Sequence, residues 1–231
     1  MKKIGITQIE KGRRRETEDY IISEVPLQLI INGQEPLLKP CSGRHINEMI
    51  TGYLFTTGRI RTTSDLRSFH YEMEKQTAYV EVDRNVEILE PQGPDTTLTV
   101  PAGRTLKWMD EFAGLSEDFK ATGAVHTAAV AEANGIRRHF DDIGRHNALD
   151  KLIGWSLLQN ESLLDKILLL SCRISSSIIS KAVAAGFPVI VSTSPPTDRA
   201  LEIAREHNIA LAGFVRGDRM NIYNREEAFG D

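Results

Sequence analysis

The sequence predicts an α/β protein, α+β overall, in which a smaller and mostly β N-terminal part precedes an α/β C-terminal part. In the first part, short segments alternate between apolar and polar residues with the period of two that strands show, around one helix near residues 44–56. Residues 91–103 then contain three prolines and two glycines, which is typical of a domain boundary. After Thr122, apolar strands alternate with helices, which predicts a mostly parallel sheet covered by helices. We therefore predict a mostly β domain over residues 1–100 and an α/β domain over residues 104–231.

The N-terminal domain is predicted to contain hairpins and one amphipathic helix. Asn32-Gly33 lies between two apolar runs, which is a strong hairpin signal, and Pro36 indicates that its strand lies at a sheet edge. An apolar stripe at helical spacing marks the helix, which Gly58 can end. The strands are predicted at residues 3–9, 19–25, 65–74 and 77–83, with a basic, mobile bend at residues 11–15.

The C-terminal domain is predicted to begin with two helices, near residues 104–113 and 116–121, and Ser116 is a candidate N-cap for the second. Its strands are predicted at residues 122–130, 136–143, 167–170, 187–191, 209–214 and 220–223. The helices between these strands are predicted at residues 145–159, up to residue 185, and 198–207.

Composition excludes several classes of protein. With 41% hydrophobic and 26% charged residues, the chain resembles an ordinary globular protein with a substantial core. A net charge of −4 does not favour a general nucleic-acid surface, and no segment reaches the ~18 apolar residues of a membrane span, so a cytoplasmic protein is expected. The two cysteines, Cys41 and Cys172, are far apart, which argues against a disulfide framework and against a thiolate zinc site.

One motif organises the C-terminal domain. An apolar strand ends just before Gly144, which permits a turn that a side chain would crowd, and an apolar helix follows. Arg145, His146 and Asn147 therefore lie at a helix N-terminus, where free N–H groups, a guanidinium and an imidazole suit a phosphate or another anion. The alternative is a strand-to-helix turn with solvated charges.

Similar polar corners follow three later strands. They comprise residues 171–177, residues 192–197 and the arginines Arg216 and Arg219. Because ligands of open α/β sheets bind beyond the carboxyl ends of the strands, these corners predict one cleft for a multiply phosphorylated ligand such as a nucleotide or dinucleotide. The alternative is that the serines only cap helices. The absence of a Walker loop, a Gly-x-Gly-x-x-Gly motif and a zinc-deaminase signature disfavours ATPases, Rossmann dehydrogenases and zinc deaminases.

Two further side chains have competing interpretations. His126 lies in an apolar strand and is more often a hydrogen-bonded core residue than a catalyst. Cys172 stands at a helix entrance beside Arg173, where thiolates are favoured, but it has no clear base and is a weak nucleophile candidate. Cys41 is predicted to be a buried or semi-buried thiol.

These motifs resemble the FdhD family of formate dehydrogenase accessory proteins over nearly the whole chain. Residues 142–154, Asp-Ile-Gly-Arg-His-Asn-Ala-Leu-Asp-Lys-Leu-Ile-Gly, resemble the family's signature, and residues 122–128, Thr-Gly-Ala-Val-His-Thr-Ala, resemble its Thr-Gly-Gly-x-His-x-Ala pattern. Further similarities lie at residues 52–58, 171–177, Lys181, 185–188, 192–197, 213–219 and Tyr223.

The resemblance implies a cytidine-deaminase-like, three-layer C-terminal domain without zinc. It implies binding of the molybdenum bis(molybdopterin guanine dinucleotide) cofactor as cargo, and sulfur transfer to it from a cysteine desulfurase before insertion into apo formate dehydrogenase. A homodimer is also expected, and no metal ligand is assigned. The candidate cofactor-binding residues are His126, Gly144, Arg145, His146, Asn147, Arg173, Ser175, Ser192, Ser194, Thr197, Phe214, Val215, Arg216, Gly217, Asp218 and Arg219.

The sequence departs from the family at the group that carries sulfur. Members usually have a Cys-x-x-Cys loop between the two halves, whereas residues 95–104 contain no cysteine. Because persulfide chemistry needs a thiolate, Cys172 could substitute only if it faces the cleft. Two hypotheses follow: a sulfurtransferase that uses Cys172, or a non-catalytic chaperone or regulator that binds the guanine-containing cofactor or guanine nucleotides.

Overall fold

The computed structural model describes residues 1–83, Pro94 and residues 98–230. In this part of the chain, twelve strands form three sheets, and six α-helices pack against them. Of the predicted boundary stretch at residues 91–103, the structure describes Pro94 and residues 98–103, where a helix begins at Ala102. No helix among the described residues has the length and hydrophobicity needed to cross a membrane.

The N-terminal half contains a hairpin and a four-stranded sheet with one helix. Its strands are β1 Lys2–Glu10, β2 Arg13–Ile21, β3 Val25–Ile31, β4 Leu37–Cys41, β5 Leu66–Glu72 and β6 Thr77–Val82, and its helix is α1 Ile46–Thr56. The four-stranded sheet has the order β4-β3-β6-β5, so the strand after Pro36 lies at an edge, as predicted. The apolar stripe of α1, including Met49, Ile50 and Leu54, is buried against β3 and β6.

The first hairpin corrects the predicted basic bend at residues 11–15. Lys11 and Gly12 alone form the turn, with φ angles of 50° and 79°, as a two-residue hairpin turn with left-handed residues requires. Arg13 therefore already belongs to β2, which runs to Ile21 instead of beginning near residue 19. The three arginines are strand residues because the turn takes only two positions.

The C-terminal half is a six-stranded sheet between two helical layers. Its strands are β7 His126–Glu132, β8 Gly135–Asp142, β9 Ile167–Leu170, β10 Val189–Ser192, β11 Ala210–Arg216 and β12 Arg219–Asn224. Its helices are α2 Ala102–Ala113, α3 Glu117–Thr122, α4 Arg145–Gln159, α5 Ser176–Ala185 and α6 Asp198–Glu206. The helices α4, α5 and α6 cover one face, and α2 with the C-terminal turn at Glu226–Phe229 covers the other.

The predicted mostly parallel sheet is wrong. In the order β12-β11-β10-β9-β7-β8, only the β9–β10 and β10–β11 pairs are parallel among the described strands. The β7–β8 and β11–β12 pairs are antiparallel because tight turns join their strands, and β7 also pairs antiparallel with β9. The strand predicted from residue 122 begins only at His126, since Gly123 ends α3 with a φ of 63°.

Two glycines bring the halves together. The helices α1 and α4 cross with Gly52 against the backbone of Asp150 and Gly154 against the backbone of Glu48. A Cβ at either glycine would collide with the facing carbonyl oxygen, so only glycine allows this approach. The predicted division into two domains stays a prediction, but the halves share a closely packed helix pair.

Candidate functional site

Polar corners lie along one edge of the six-stranded sheet. The strands β8, β9, β10 and β11 end at this edge, and β7 begins there because it is antiparallel to β8 and β9. Backbone hydrogen bonds link the corners: Ser171 N–H donates to Thr127 O at 3.1 Å, and Thr193 N–H to Leu170 O at 3.1 Å. The structure therefore brings the predicted corners to one edge, which we call the polar edge. Their side chains lie on both faces of the sheet, however, and do not line the single cleft that was predicted.

Asp142 ties the polar edge to the N-terminal half. Its fully buried carboxylate accepts hydrogen bonds from Ser42 N–H and Oγ–H, both at 3.0 Å, and from Lys151 Nζ at 2.6 Å. It also accepts from Gly144 N–H at 3.0 Å and Asn147 Nδ2 at 2.9 Å, and Asn147 donates to Pro40 O at 2.8 Å. Burial raises the pKa of Asp142, but the Lys151 ammonium and these donors outweigh it and hold the pKa below its usual value.

The same network explains Gly144. Its φ of −98° is ordinary, so conformational freedom is not the reason for a glycine here. A Cβ would lie 2.9 Å from Asn147 Nδ2, which Asp142 and Pro40 hold in place. The signature motif is thus partly a structural network, because Asn147, Asp142 and Lys151 satisfy one another.

Several cations surround His146 on the face covered by α4 and α5. Burial and the nearby charges of Arg145, Lys181 and Lys39 lower the pKa of His146 to about 4. Its Nε2 lies 2.8 Å from Ser177 Oγ, which lies 3.0 Å from Ser175 Oγ at the start of α5. A neutral imidazole, hydroxyls and three cations therefore meet at this place, which we call the His146 cluster.

Asp150 is the acidic member of the His146 cluster. Its Oδ1 accepts from Lys181 Nζ at 2.6 Å and from Thr56 Oγ1 at 3.1 Å, while its buried Oδ2 finds no hydrogen-bond partner among the described residues. Lys39 Nζ stands 3.7 Å from the ring centre of Tyr53, and Lys181 Nζ stands 5.8 Å from it. Two lysines from different halves of the chain thus lie near the same aromatic ring.

A cavity of about 370 Å³ opens at the polar edge beside α2 and α3, on the face of the sheet opposite the His146 cluster. We call it the Asp141 pocket; it is lined by Phe112, Ala113, Ser116, Phe119, Thr127, Ser171, Thr193 and Arg216. Behind the lining, Asp141 accepts from Thr127 Oγ1 at 2.6 Å and from Ser116 Oγ at 2.9 Å. A second cavity, of about 350 Å³, lies at the opposite edge of the sheet, away from the polar corners.

Phe214 has an unusual backbone at the end of β11. Its φ is 53°, which strains a residue with a side chain, and the residue is 39% exposed. The Arg219 guanidinium lies 5.9 Å from that ring, and Arg216 Nε donates to Thr193 O at 3.3 Å. The end of β11 therefore places Phe214 next to Arg219 and places Arg216 in the lining of the Asp141 pocket.

The predicted site residues fall into two groups. Asn147, Ser192 and Val215 point inward: Asn147 donates to Asp142 and Pro40, Ser192 Oγ donates to Cys172 O at 2.7 Å, and Val215 packs in the core. The residues that keep some exposure along the polar edge are His126, Gly144, Arg145, His146, Arg173, Ser175, Ser194, Thr197, Phe214, Arg216, Gly217, Asp218 and Arg219. Inward placement of Asn147, Ser192 and Val215 does not fit direct contact with a ligand.

Neither cysteine has the surroundings of a reactive thiol. Cys172 is only 4% exposed, and burial raises its pKa to about 11 although Arg145 opposes the shift. Cys41 is fully buried, and burial raises its pKa as well. A protonated, inaccessible thiol is a poor nucleophile, so the position of Cys172 does not support the role considered for it. Among the described residues, no group of three or more potential ligands could hold a metal ion.

Sequence reasoning missed Lys39, Asp141 and the pocket role of Thr127. Lys39 lies in an edge strand between Leu38 and Pro40, and nothing local indicates that it reaches a site built by α4 and α5. Asp141 and Thr127 are opposite each other in the β7–β8 register, so the alternation of the strands could have placed them on one face. The strand pairing itself was not predicted from the sequence.

The structure is thus an α/β fold with several cationic side chains at one end of its central sheet. The FdhD/NarQ family model matches residues 22–94 and 83–229, so this chain belongs to the FdhD/NarQ family. It is similar to the protein described as sulfur carrier protein FdhD from Geobacillus kaustophilus, with 34% identity over 97% of this chain and 95% of that one. The Bacillus pumilus protein of the same description is 32% identical over 98% and 96%.

A solved structure shares the fold. The crystal structure of a candidate formate dehydrogenase accessory protein from Desulfotalea psychrophila superposes with a TM-score of 0.84. The match covers 98% of each chain at 22% sequence identity. At this identity, the likeness establishes the fold and no finer property.

Proposed function

We propose that this chain is a formate dehydrogenase accessory protein whose polar edge holds the molybdenum bis(molybdopterin guanine dinucleotide) cofactor as cargo. Family membership and the description of the relatives as sulfur carriers support the accessory role. The proposal includes a cytidine-deaminase-like C-terminal domain, a cytoplasmic homodimer, and cysteine desulfurase and apo formate dehydrogenase as partners.

The observation that carries the proposal is the excess of positive charge in the His146 cluster. Arg145, Lys181 and Lys39 all lie close enough to lower the pKa of His146, and Asp150 is the carboxylate with which Lys181 pairs. Asp150 is one carboxylate among three half-buried cations, and the unbalanced positive charges repel one another in a medium of reduced polarity. A phosphate group placed among them would relieve this repulsion and could also accept from Ser175 and Ser177.

The sulfur step has weaker support in this chain than cofactor binding has. A persulfide forms on a thiolate, and both thiols are buried with raised pKa values. We therefore favour the role of cofactor-binding chaperone over sulfur transfer through Cys172. The second candidate function, sulfur transfer, keeps the support of the relatives' description.

Calorimetric titration with GDP, a soluble fragment of the cofactor, tests the binding proposal. We expect wild-type protein to bind GDP, and Arg145→Ala and Lys181→Ala each to weaken binding by about tenfold or more, since each removes a charged partner of phosphate. Lys75→Ala is the matched control, because Lys75 forms an exposed ion pair with Glu72 far from the polar edge. Unchanged affinity in both site variants, or no GDP binding at all, would contradict the proposal.

Persulfide labelling separates the two candidate functions. The protein is incubated with a cysteine desulfurase and free cysteine, and labelling is compared among wild type, Cys172→Ala and Cys41→Ala. We expect no stable label on either thiol of the folded protein. A label that disappears only in Cys172→Ala would instead favour sulfur transfer through that residue.

A further inference from the structure

The first hairpin stands apart from the other two sheets. All nine residues of β1 pair with β2 without a break in register, and no other described strand joins the two. Ile4 and Ile9 face opposite sides of this ribbon and are 39% and 62% exposed, so both of its faces are open. A two-stranded ribbon of this kind is only marginally stable in water, and a third strand would stabilise it.

The two outer edges of the ribbon differ in how they are protected. Proteins shield exposed strand edges with charged residues, prolines or bulges, because an open edge can pair with another strand. The strand β2 carries charged residues at six of its nine positions, whereas residues 4–9 of β1, Ile-Gly-Ile-Thr-Gln-Ile, contain no charge and no proline. Uncharged segments of this length and composition pair readily with copies of themselves. The edge of β1 is therefore the one that needs a covering strand.

The sequence of β1 is complementary to itself when two copies run antiparallel. If Ile6 lies opposite Ile6 of a second copy, Lys2 of each copy lies opposite Glu10 of the other, and all nine residues are paired. A shift by two residues removes both opposite-charge pairs, and a shift by one residue turns the side chains to the wrong faces. Within its own chain, Lys2 has no ion-pair partner among the described residues, and Glu10 lies 3.9 Å from Arg15.

We propose that β1 pairs edge to edge with β1 of a second copy of this chain, so that the two hairpins form one four-stranded antiparallel sheet. A two-fold axis then passes beside Ile6, and both copies use the same surface, as a symmetric dimer requires. Opposite charges lie across the strands at both ends, and two isoleucines pair at the centre. The inference deepens the proposed function by naming the surface that joins the homodimer, and it rests on that function for the homodimer alone.

Cysteine cross-linking tests the register directly. Opposite residues of an antiparallel pair have Cα atoms about 4.5–5.5 Å apart, a distance that a disulfide spans. Ile6→Cys should therefore form a covalent dimer on oxidation with copper phenanthroline, read by non-reducing electrophoresis, since Cys41 and Cys172 are buried. Thr7→Cys is the matched control, because two copies of position 7 lie about 8 Å apart in this register, too far for a disulfide. A mixture of Gly5→Cys and Thr7→Cys chains should cross-link, because positions 5 and 7 are opposite each other.

Charge reversal at the ends of β1 provides a second test at exposed positions. Sedimentation velocity over a concentration series measures the dissociation constant of the dimer. We expect wild type to be a dimer, and Lys2→Glu to raise the constant by about tenfold, since it creates two like-charge pairs. Combining Lys2→Glu with Glu10→Lys should restore the wild-type value. Lys75→Glu, which reverses an exposed charge in the turn between β5 and β6, should leave the constant unchanged.

The outcomes separate this inference from the proposed function. A wild-type monomer, or a dimer in which Thr7→Cys cross-links as readily as Ile6→Cys, would overturn the inference, and GDP binding by the same protein would leave the proposed function intact. A dimer that forms no cross-link at position 6 uses another surface and also overturns it. If Ile6→Cys fails to fold, the mixture of Gly5→Cys and Thr7→Cys chains decides in its place. A cross-linked Ile6→Cys dimer that binds no GDP would support the inference and contradict the proposed function.

Discussion

Asp141 and Asp142 are neighbours in β8, yet they serve opposite faces of the sheet. Asp142 is fully buried and accepts five hydrogen bonds, from Ser42, Gly144, Asn147 and Lys151. Asp141 is only partly buried, and its carboxylate accepts from two hydroxyls that line a cavity. Because successive strand residues point to opposite faces, one step along the chain changes a structural hub into part of an open pocket.

This difference shows how one strand end can be both rigid and open to a ligand. The Asp142 network joins β4, β8 and α4, so the start of α4 is fixed from both halves of the chain. The Asp141 face has no equivalent network, since among the described residues its carboxylate accepts side-chain hydrogen bonds only from Ser116 and Thr127, which line a cavity. Stability and binding are therefore expected to respond very differently to the same substitution at the two positions.

The largest expected effect comes from changing each aspartate to asparagine. Asp142→Asn removes the charge opposite Lys151, which is fully buried, and should lower the free energy of unfolding by about 3–5 kcal/mol. Asp141→Asn keeps a partly buried polar group with its neighbours and should change stability by about 1 kcal/mol or less. Urea unfolding at pH 7, followed by circular dichroism, measures both.

An equal loss of unfolding free energy in the two variants would contradict the expected difference between the two faces. A large loss in Asp141→Asn alone would reverse it, and would make the pocket hydroxyls part of the folding core. Lys120→Met provides a baseline for an exposed ion pair, because Lys120 pairs with Glu117 on the surface of α3. Its effect should stay below about 1 kcal/mol.

The next effect tests how the buried face is held. Gly154→Ala places a Cβ into the carbonyl oxygen of Glu48 and should force α1 and α4 apart, at about 1–3 kcal/mol of unfolding free energy. Gly103→Ala in α2 meets no atom within 4 Å and should instead stabilise by about 0.5–1 kcal/mol. Thermal unfolding of the two variants should therefore move in opposite directions, and a neutral Gly154→Ala would show that the crossing tolerates displacement.

Local sequence signals predict the positions of many helices and strands, but they do not predict how the strands pair in the sheet. The helix α4 begins and ends where the apolar spacing predicts, and β9 has the predicted bounds of residues 167–170. The direction of β7 relative to β9 was wrong, because a run such as residues 126–132 has the same pattern in a parallel and in an antiparallel sheet. Hairpin turns fix direction, and the two-residue turn at Ala133 and Asn134, which makes β7 and β8 antiparallel, carried that information.

Site residues could be predicted where neighbouring residues in the sequence determine their position. They could not be predicted where contacts between the N-terminal and C-terminal halves determine their role. Arg145 and His146 follow a strand end, so their place at the polar edge could be inferred from the turn and helix alone. Asn147 belongs to the same motif, but its amide is used by Asp142 and by Pro40, which is 107 positions away. Only the tertiary structure shows that the Asn147 side chain forms structural hydrogen bonds and does not point towards a ligand.

The smallest expected effect concerns pH and the His146 cluster. His146 is neutral in both states above pH 6.5; as the pH falls, the unfolded chain takes up a proton near pH 6.5, whereas the folded chain resists until its pKa of about 4. The folded state therefore loses stability between these values. His146→Gln, which has no such proton, should lose about 1 kcal/mol less between pH 7 and pH 4.5, discounting for the partly exposed ring.

Bound GDP provides the internal check on that interpretation. If the phosphates lie among Arg145, Lys181 and Lys39, their negative charge offsets the repulsion that helps to lower the pKa of His146. Saturating GDP should then stabilise wild type more at pH 4.5 than at pH 7, and His146→Gln should show no such gain. An equal gain at both pH values in wild type would mean that the ligand binds away from the His146 cluster, on the Asp141 face alone.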